Sequence, residues 1–182
     1  MAIWRQPTSS AVSPSFVREG VGIGGPFMLT DQNGGKVSDT QFRRKWMLVY
    51  FGFTSCPDVC PTDLLQITRL MDLLGSDADA LAPLFISVDP ERDTPEQLKT
   101  FASNFSPRIV FLTGTPEEIK QAMSAYKVYA AKKEDKASAL GYTVDHSAFL
   151  YLMDRDGKYY AHFAHGTPAE EMAKVIKEAI KP

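Results

Sequence analysis

Cysteine is scarce in this chain: two among 182 residues, Cys56 and Cys60. A single pair cannot build a disulfide framework, and the count leaves three uses open, a redox couple, half of a metal site or a structural bridge. Also missing is any apolar run near the ~18 residues needed to cross a bilayer. The opening residues carry little positive charge and no apolar central region, so they do not read as a signal peptide. We expect residues 1–22 to be a flexible lead-in, with any native membrane anchor missing from this chain, and residues 23–182 to form one domain. Excess charge of either sign is absent too. A net charge of −2 excludes the electrostatic footprint of nucleic-acid binding, and Arg43-Arg44-Lys45 and Lys132-Lys133 read as solvated surface. There is no internal repeat and no second domain.

With 44% apolar residues the chain can bury one good core. Its organising stretch is Met47 to Leu64, MLVYFGFTSCPDVCPTDL. The apolar run Met47–Phe53 reads as a strand buried on both faces. A helical pattern follows from Pro61, with Leu64, Ile67, Met71 and Leu74 on one face and Gly75 as its stop. Both cysteines therefore fall in a strand-to-helix turn, where side chains can be exposed on a rigid frame. Three later segments open with a shared phrase: Thr94-Pro95-Glu96-Gln97, Thr115-Pro116-Glu117-Glu118 and Thr167-Pro168-Ala169-Glu170. Each reads as a capping box with proline at the first helical position. Cys60-Pro61 stands where that phrase has Thr-Pro. This predicts a sulfur at a helix N-cap, facing backbone N–H groups that favour thiolate.

Along the chain, four glycines between Gly20 and Gly25 mark a loop. Phe27–Thr30 and Lys36–Ser38 flank a turn at Asp31–Gly35 and predict a hairpin. Strands are expected at Leu84–Val88 and Ile109–Leu112, each followed by a helix, and Ala130–Tyr142 reads as a loop. Ala148–Met153 and Lys158–Phe163 flank Asp156-Gly157, a hairpin turn signal, and a terminal helix carries Met172, Val175, Ile176 and Ala179. Parallel β-α-β units followed by an antiparallel hairpin and a last helix describe an α/β, thioredoxin-like fold. Its mixed central sheet has flanking helices and an N-terminal hairpin extension. In open sheets of this kind the reactive end lies beyond the carboxyl ends of the strands, where the cysteine turn sits.

Free cysteines are often just small buried hydrophobes. Here both lie outside the apolar strand, beside Pro57 and Asp58, which favours chemistry. C-x-x-x-C leaves more room than C-x-x-C for a metal held by both sulfurs, without forbidding a disulfide. For a third ligand the chain offers His146, His162 and His165. His146, in Val144-Asp145-His146-Ser147, precedes a strand at the end of the expected loop and can lean towards the cysteines, with Asp145 as an outer partner. His162 and His165 read as packing or surface groups. A two-thiolate, one-imidazole set suits copper in either oxidation state and also zinc with water. Asp89, Glu91 and Asp93, interleaved with Pro90 and Arg92, read as a self-satisfied loop close to the reactive face.

Three stretches in order, GFTSCPDVCP (Gly52–Pro61), SVDPERDTPE (Ser87–Glu96) and YTVDHS (Tyr142–Ser147), resemble the Sco/SenC family of copper-binding proteins, as does the lead-in GGPFMLTDQNGG (Gly24–Gly35). The resemblance implies a thioredoxin-like domain binding one copper ion, Cu(I) or Cu(II), through Cys56, Cys60 and His146. It implies a factor that assembles the CuA centre of cytochrome c oxidase subunit II by donating copper, by reducing that subunit's cysteines, or both; we expect a metallochaperone, loaded by an upstream copper donor chaperone, and not a turnover enzyme. It also implies a single N-terminal membrane anchor and a location in the periplasm or the mitochondrial intermembrane space. The alternative is a thiol–disulfide oxidoreductase that reduces the CuA-site cysteines, with Cys56 attacking and Cys60 resolving. A peroxidase is disfavoured because no Pro-x-x-x-Thr-x-x-Cys precedes Cys56, and a structural zinc site because no fourth ligand is evident.

Overall fold

The computed structural model describes residues 22–56, 59–134, 142–146 and 149–182. Within these, the side chains of Val59, Lys132, Lys133 and residues 142–146 lie outside the description. The chain forms strands β1 (Met28–Asp31), β2 (Lys36–Ser38) and β3 (Trp46–Gly52), then helix α1 (Val59–Leu74). Strand β4 (Leu81–Ser87), helix α2 (Pro95–Ala102), strand β5 (Val110–Thr113) and helix α3 (Pro116–Ala125) follow. The last third holds β6 (Ala130–Glu134), β7 (Tyr142–His146), β8 (Phe149–Met153), β9 (Tyr159–Ala164) and α4 (Ala169–Ile180).

Seven strands make one mixed sheet in the order β2-β1-β5-β4-β3-β8-β9. The β3–β4 and β4–β5 pairs are parallel, while β8 runs antiparallel to β3 and β9 antiparallel to β8. The expected thioredoxin-like arrangement is therefore present, with the β1–β2 hairpin added at the far edge. Strand β3 is interior, between β4 and β8, and all seven of its residues are buried. Strands flanked on both sides and covered on both faces need apolar side chains throughout, which is why the run from Trp46 to Phe53 shows no alternation.

Alternate residues of β3 meet different layers. Tyr50 sits opposite Phe85 of β4, and Phe85 in turn meets Phe101 of α2 and Phe111 of β5 at ring separations of 6.0 and 5.2 Å. One residue on, Phe51 meets Tyr126 just beyond α3 at 5.4 Å. Helix α1 turns Leu64, Ile67, Leu70, Met71 and Leu74 inward, packs against α4, and ends at Gly75, whose φ of 55° suits a residue without a side chain.

Three expectations need correction. Helix α1 already includes Val59 and Cys60, so Cys60 is inside the first turn and not at its cap. The segment from Ala130 is not a plain loop. β6 and β7 pair antiparallel from Ala130↔His146 to Glu134↔Tyr142, outside the main sheet, while residues 135–141 lie outside the described residues. The AAKKE of β6 has no apolar–polar alternation, so the usual strand signal is missing there. Finally, Thr167 does not cap α4. Its hydroxyl donates to the Ala164 carbonyl at 2.7 Å, Pro168 stands at the N-cap, and the Ala169 N–H donates to Gln66 Oε1 of α1 at 2.9 Å. The other two caps form. Thr115 and Glu118 make the full reciprocal box, whereas Thr94 accepts from the Gln97 N–H and the Gln97 side chain turns to Thr54 instead.

Candidate metal centre

The parallel strands β3, β4 and β5 carry their loops to one end of the sheet, and the cysteines stand there. After Gly52 the chain turns sharply, with the Cys56 N–H donating to the Phe53 carbonyl at 3.3 Å. The Cys60 N–H then donates to Cys56 Sγ at 3.5 Å. An N–H of the first helical turn thus finds its acceptor in Cys56, the capping role that the Thr-Pro analogy assigned to Cys60.

Both thiols are less accessible than the turn suggested: Cys56 is 9% exposed and Cys60 0%. The expectation of a thiolate-favouring Cys60 fails with the cap. Its hydrogen bond with Cys56, its burial and the Cys56 charge together push its thiol far up, outweighing the backbone N–H of Phe53 that faces it. Tyr50 is buried beneath it. Burial first, then Cys60 and Asp63, drive its phenol far above the ordinary range.

Asp63, one turn beyond Cys60, is a functional-site neighbour that the sequence reading missed. It is 1% exposed, and its carboxylate meets His165 Nδ1 at 2.8 Å and accepts from the Gly166 N–H at 3.0 Å. The inward stripe of α1 passes through position 63, so an acid on that stripe was the available signal. His165 is 41% exposed, and its engagement with Asp63 fits the packing-or-surface reading. His162 does as well, with Nδ1 2.6 Å from the Tyr159 hydroxyl and its ring edge-on to Phe149.

For His146 the backbone is described, in β7 opposite Ala130, and the side chain lies outside the description. Among the described residues no three His, Cys, Asp or Glu side chains cluster as a metal site. The acidic loop is self-satisfied as expected and stands at this same end. Asp89 pairs with Arg92, and the fully buried Asp93 accepts from Thr54 and Ser87.

The SCO1/SenC family model matches residues 17–181. The chain belongs to the SCO1/SenC family. An SCO2-like protein of Rickettsia prowazekii is 43% identical over 155 residues, covering 85% of this chain and 76% of the relative. Among solved structures, copper-bound ScoI of Bradyrhizobium japonicum matches with a TM-score of 0.79 and 47% identity, over 86% of this chain and 98% of that one. BsSco, described with a disulfide switch and as a member of the Sco family of cytochrome c oxidase assembly proteins, matches with a TM-score of 0.69 and 28% identity, over 90% and 97% of the two chains. No helix among the described residues is long and apolar enough to cross a membrane.

Proposed function

We propose that this chain is a copper metallochaperone that binds one ion, as Cu(I) or Cu(II), through Cys56, Cys60 and His146. The observation that carries this reading is the turn from β3 into α1, where Cys56 precedes the helix, Cys60 lies in its first turn and the Cys60 N–H donates to Cys56 Sγ, in a chain 47% identical to a ScoI solved with copper. Two soft thiolates are the donor set that suits Cu(I), and an added imidazole suits Cu(II). The backbone supports His146 as the third donor. Leu150 pairs with Tyr50, so β8 begins beside the end of β3, and His146 is three residues before Phe149, within about 11 Å of chain.

Loading requires both thiols to lose their protons, so uptake is pH-dependent. Cys56, the more accessible sulfur, engages the ion first, and the buried Cys60 follows. The cargo comes from an upstream copper donor chaperone and goes to the CuA domain of cytochrome c oxidase subunit II. The working unit is residues 23–182, following a lead-in over 1–22, in the periplasm or the mitochondrial intermembrane space. The test is Cu(II) loading followed by thiolate-to-copper absorption. Cys60→Ser and His146→Ala are expected to lose or shift the band. If His146→Ala changes nothing while His162→Ala abolishes the band, the ligand assignment is wrong.

A second reading, thiol–disulfide exchange, is favoured by the unequal exposure of the two sulfurs. The Cys56 thiolate attacks a substrate disulfide and releases one substrate thiol. Cys60 then attacks the Cys56 sulfur, releasing the second thiol and leaving Cys56–Cys60 oxidised. Undiminished reduction of a substrate disulfide under strict metal chelation would favour this reading over copper transfer.

A further inference from the structure

We propose that Asp93, in the loop after β4, is a positioning residue that sets the geometry of both cysteines by clamping Thr54. Its carboxylate is fully buried, yet the hydrogen bonds that hold it come from hydroxyls and a backbone N–H. Oδ2 accepts from the Thr54 N–H at 3.1 Å and from Ser87 Oγ at 2.6 Å, and Oδ1 accepts from Thr54 Oγ1 at 2.5 Å. Ser87 Oγ in turn accepts from the Asp89 N–H at 3.0 Å, which ties the clamp to the end of β4.

What the clamp grips matters more than its strength. The Thr54 N–H and the Phe53 carbonyl belong to one planar peptide, so fixing the first orients the second. That carbonyl is the acceptor for the Cys56 N–H, and the Phe53 N–H faces the Cys60 thiol. Phe53 therefore touches both cysteines through its backbone, and Asp93 holds the peptide that follows it. The same loop grips Phe53 a second time, with the Arg92 guanidinium 5.9 Å over its ring. A carboxylate desolvated to hold a turn, and not to balance a cation, is a costly arrangement with a geometric benefit.

The metal readout rests on the copper reading above, so the test has two arms. In metal-free protein the Cys56–Cys60 thiol–disulfide equilibrium is measured against glutathione. In loaded protein the Cu(II)–thiolate band and the affinity are measured by competition. Asp93→Ala is expected to shift the glutathione equilibrium, move the band and weaken Cu(II) about tenfold or more, the scale for losing groups that orient metal ligands. Asp93→Asn keeps an acceptor oxygen for the Thr54 N–H and is expected to stay close to wild type. A folded Asp93→Ala with wild-type values in both arms overturns the proposal. Should Asp93→Ala fail to melt cooperatively, Thr54→Val replaces it. It removes only the hydroxyl, its expected shifts are smaller and in the same sense, and no shift overturns the proposal. A shifted glutathione equilibrium in a chain whose wild type binds no copper supports the clamp and refutes the copper reading. Wild-type copper binding with an indifferent Asp93→Ala does the reverse.

Discussion

Replacing Gly52 by alanine tests the packing around the cysteine turn with one methyl group. A Cβ there would lie 2.8 Å from Phe85 Cε2 and 2.9 Å from Cys60 Sγ. Comfortable contacts begin near 3.5 Å, so each neighbour would have to yield by roughly 0.6–0.7 Å. Phe85 has little freedom to do so, being fully buried among Tyr50, Phe101 and Phe111. Cys60 sits inside α1 and is equally buried, so the first turn of the helix must shift. Gly52 is not among the residues with positive φ, so the backbone itself accepts alanine. Lower entropy of the unfolded chain would then favour the variant by about 0.4–1 kcal/mol. Overpacking works against it by about 1–3 kcal/mol and wins. The expected net loss of about 1–2 kcal/mol lowers the melting temperature by roughly 2–8 °C for a chain of this size. Calorimetry measures the melt, and titration against glutathione reports whether the sulfur pair has moved. Pairing Gly52→Ala with Phe85→Leu should recover part of the loss, because the two sites share the clash. A variant as stable as wild type with an unchanged thiol equilibrium would refute the reasoning.

Further outcomes follow from the same geometry. Limiting iodoacetamide should modify Cys56 before Cys60, because only Cys56 reaches solvent; peptide mapping that finds Cys60 first would contradict the placement. Asp63→Ala should destabilise by about 1–3 kcal/mol, since it strands the Gly166 N–H, whereas His165→Ala at a half-open site should cost within about 1 kcal/mol; equal losses in urea unfolding would deny Asp63 its linking role. Burial raises the Asp93 carboxyl above its ordinary 3.8, so the folded chain keeps a proton that the unfolded chain releases. The stability tied to that proton is fully present below the ordinary value. It is lost as pH rises to the raised value, by at most about 1.4 kcal/mol per pH unit. Unfolding free energies of Asp93→Asn relative to wild type should therefore improve with pH across that window and then level off; a difference that stays flat counts against the assignment.

Much of the architecture could be read locally. The run from Trp46 to Phe53 is continuous in apolar residues because β3 is enclosed, and Asp156-Gly157 marks the β8–β9 turn because few residues tolerate it; Gly157 has a φ of 77°. The Thr-Pro phrase located α2 and α3 well. It misled at α4, where Thr167 bonds a preceding carbonyl, and at α1, where the helix begins before the proline. Local spacing counts possible caps but does not say which acceptor reaches the N–H groups first. The β6–β7 ribbon was missed because the AAKKE of β6 carries no apolar–polar alternation to announce a strand.

By itself, then, the sequence determined the enclosed strand, the turn that carries both sulfurs, the order of the elements and the motifs that point to the family. Each of these depends on neighbours a few residues apart. Tertiary structure alone decided that Cys60 is sealed, that Asp63 ties α1 to the loop after β9, and that Asp93 of the β4 loop holds Thr54. Those facts depend on burial and on hydrogen bonds between segments 39 to 103 residues apart, and no local periodicity encodes them.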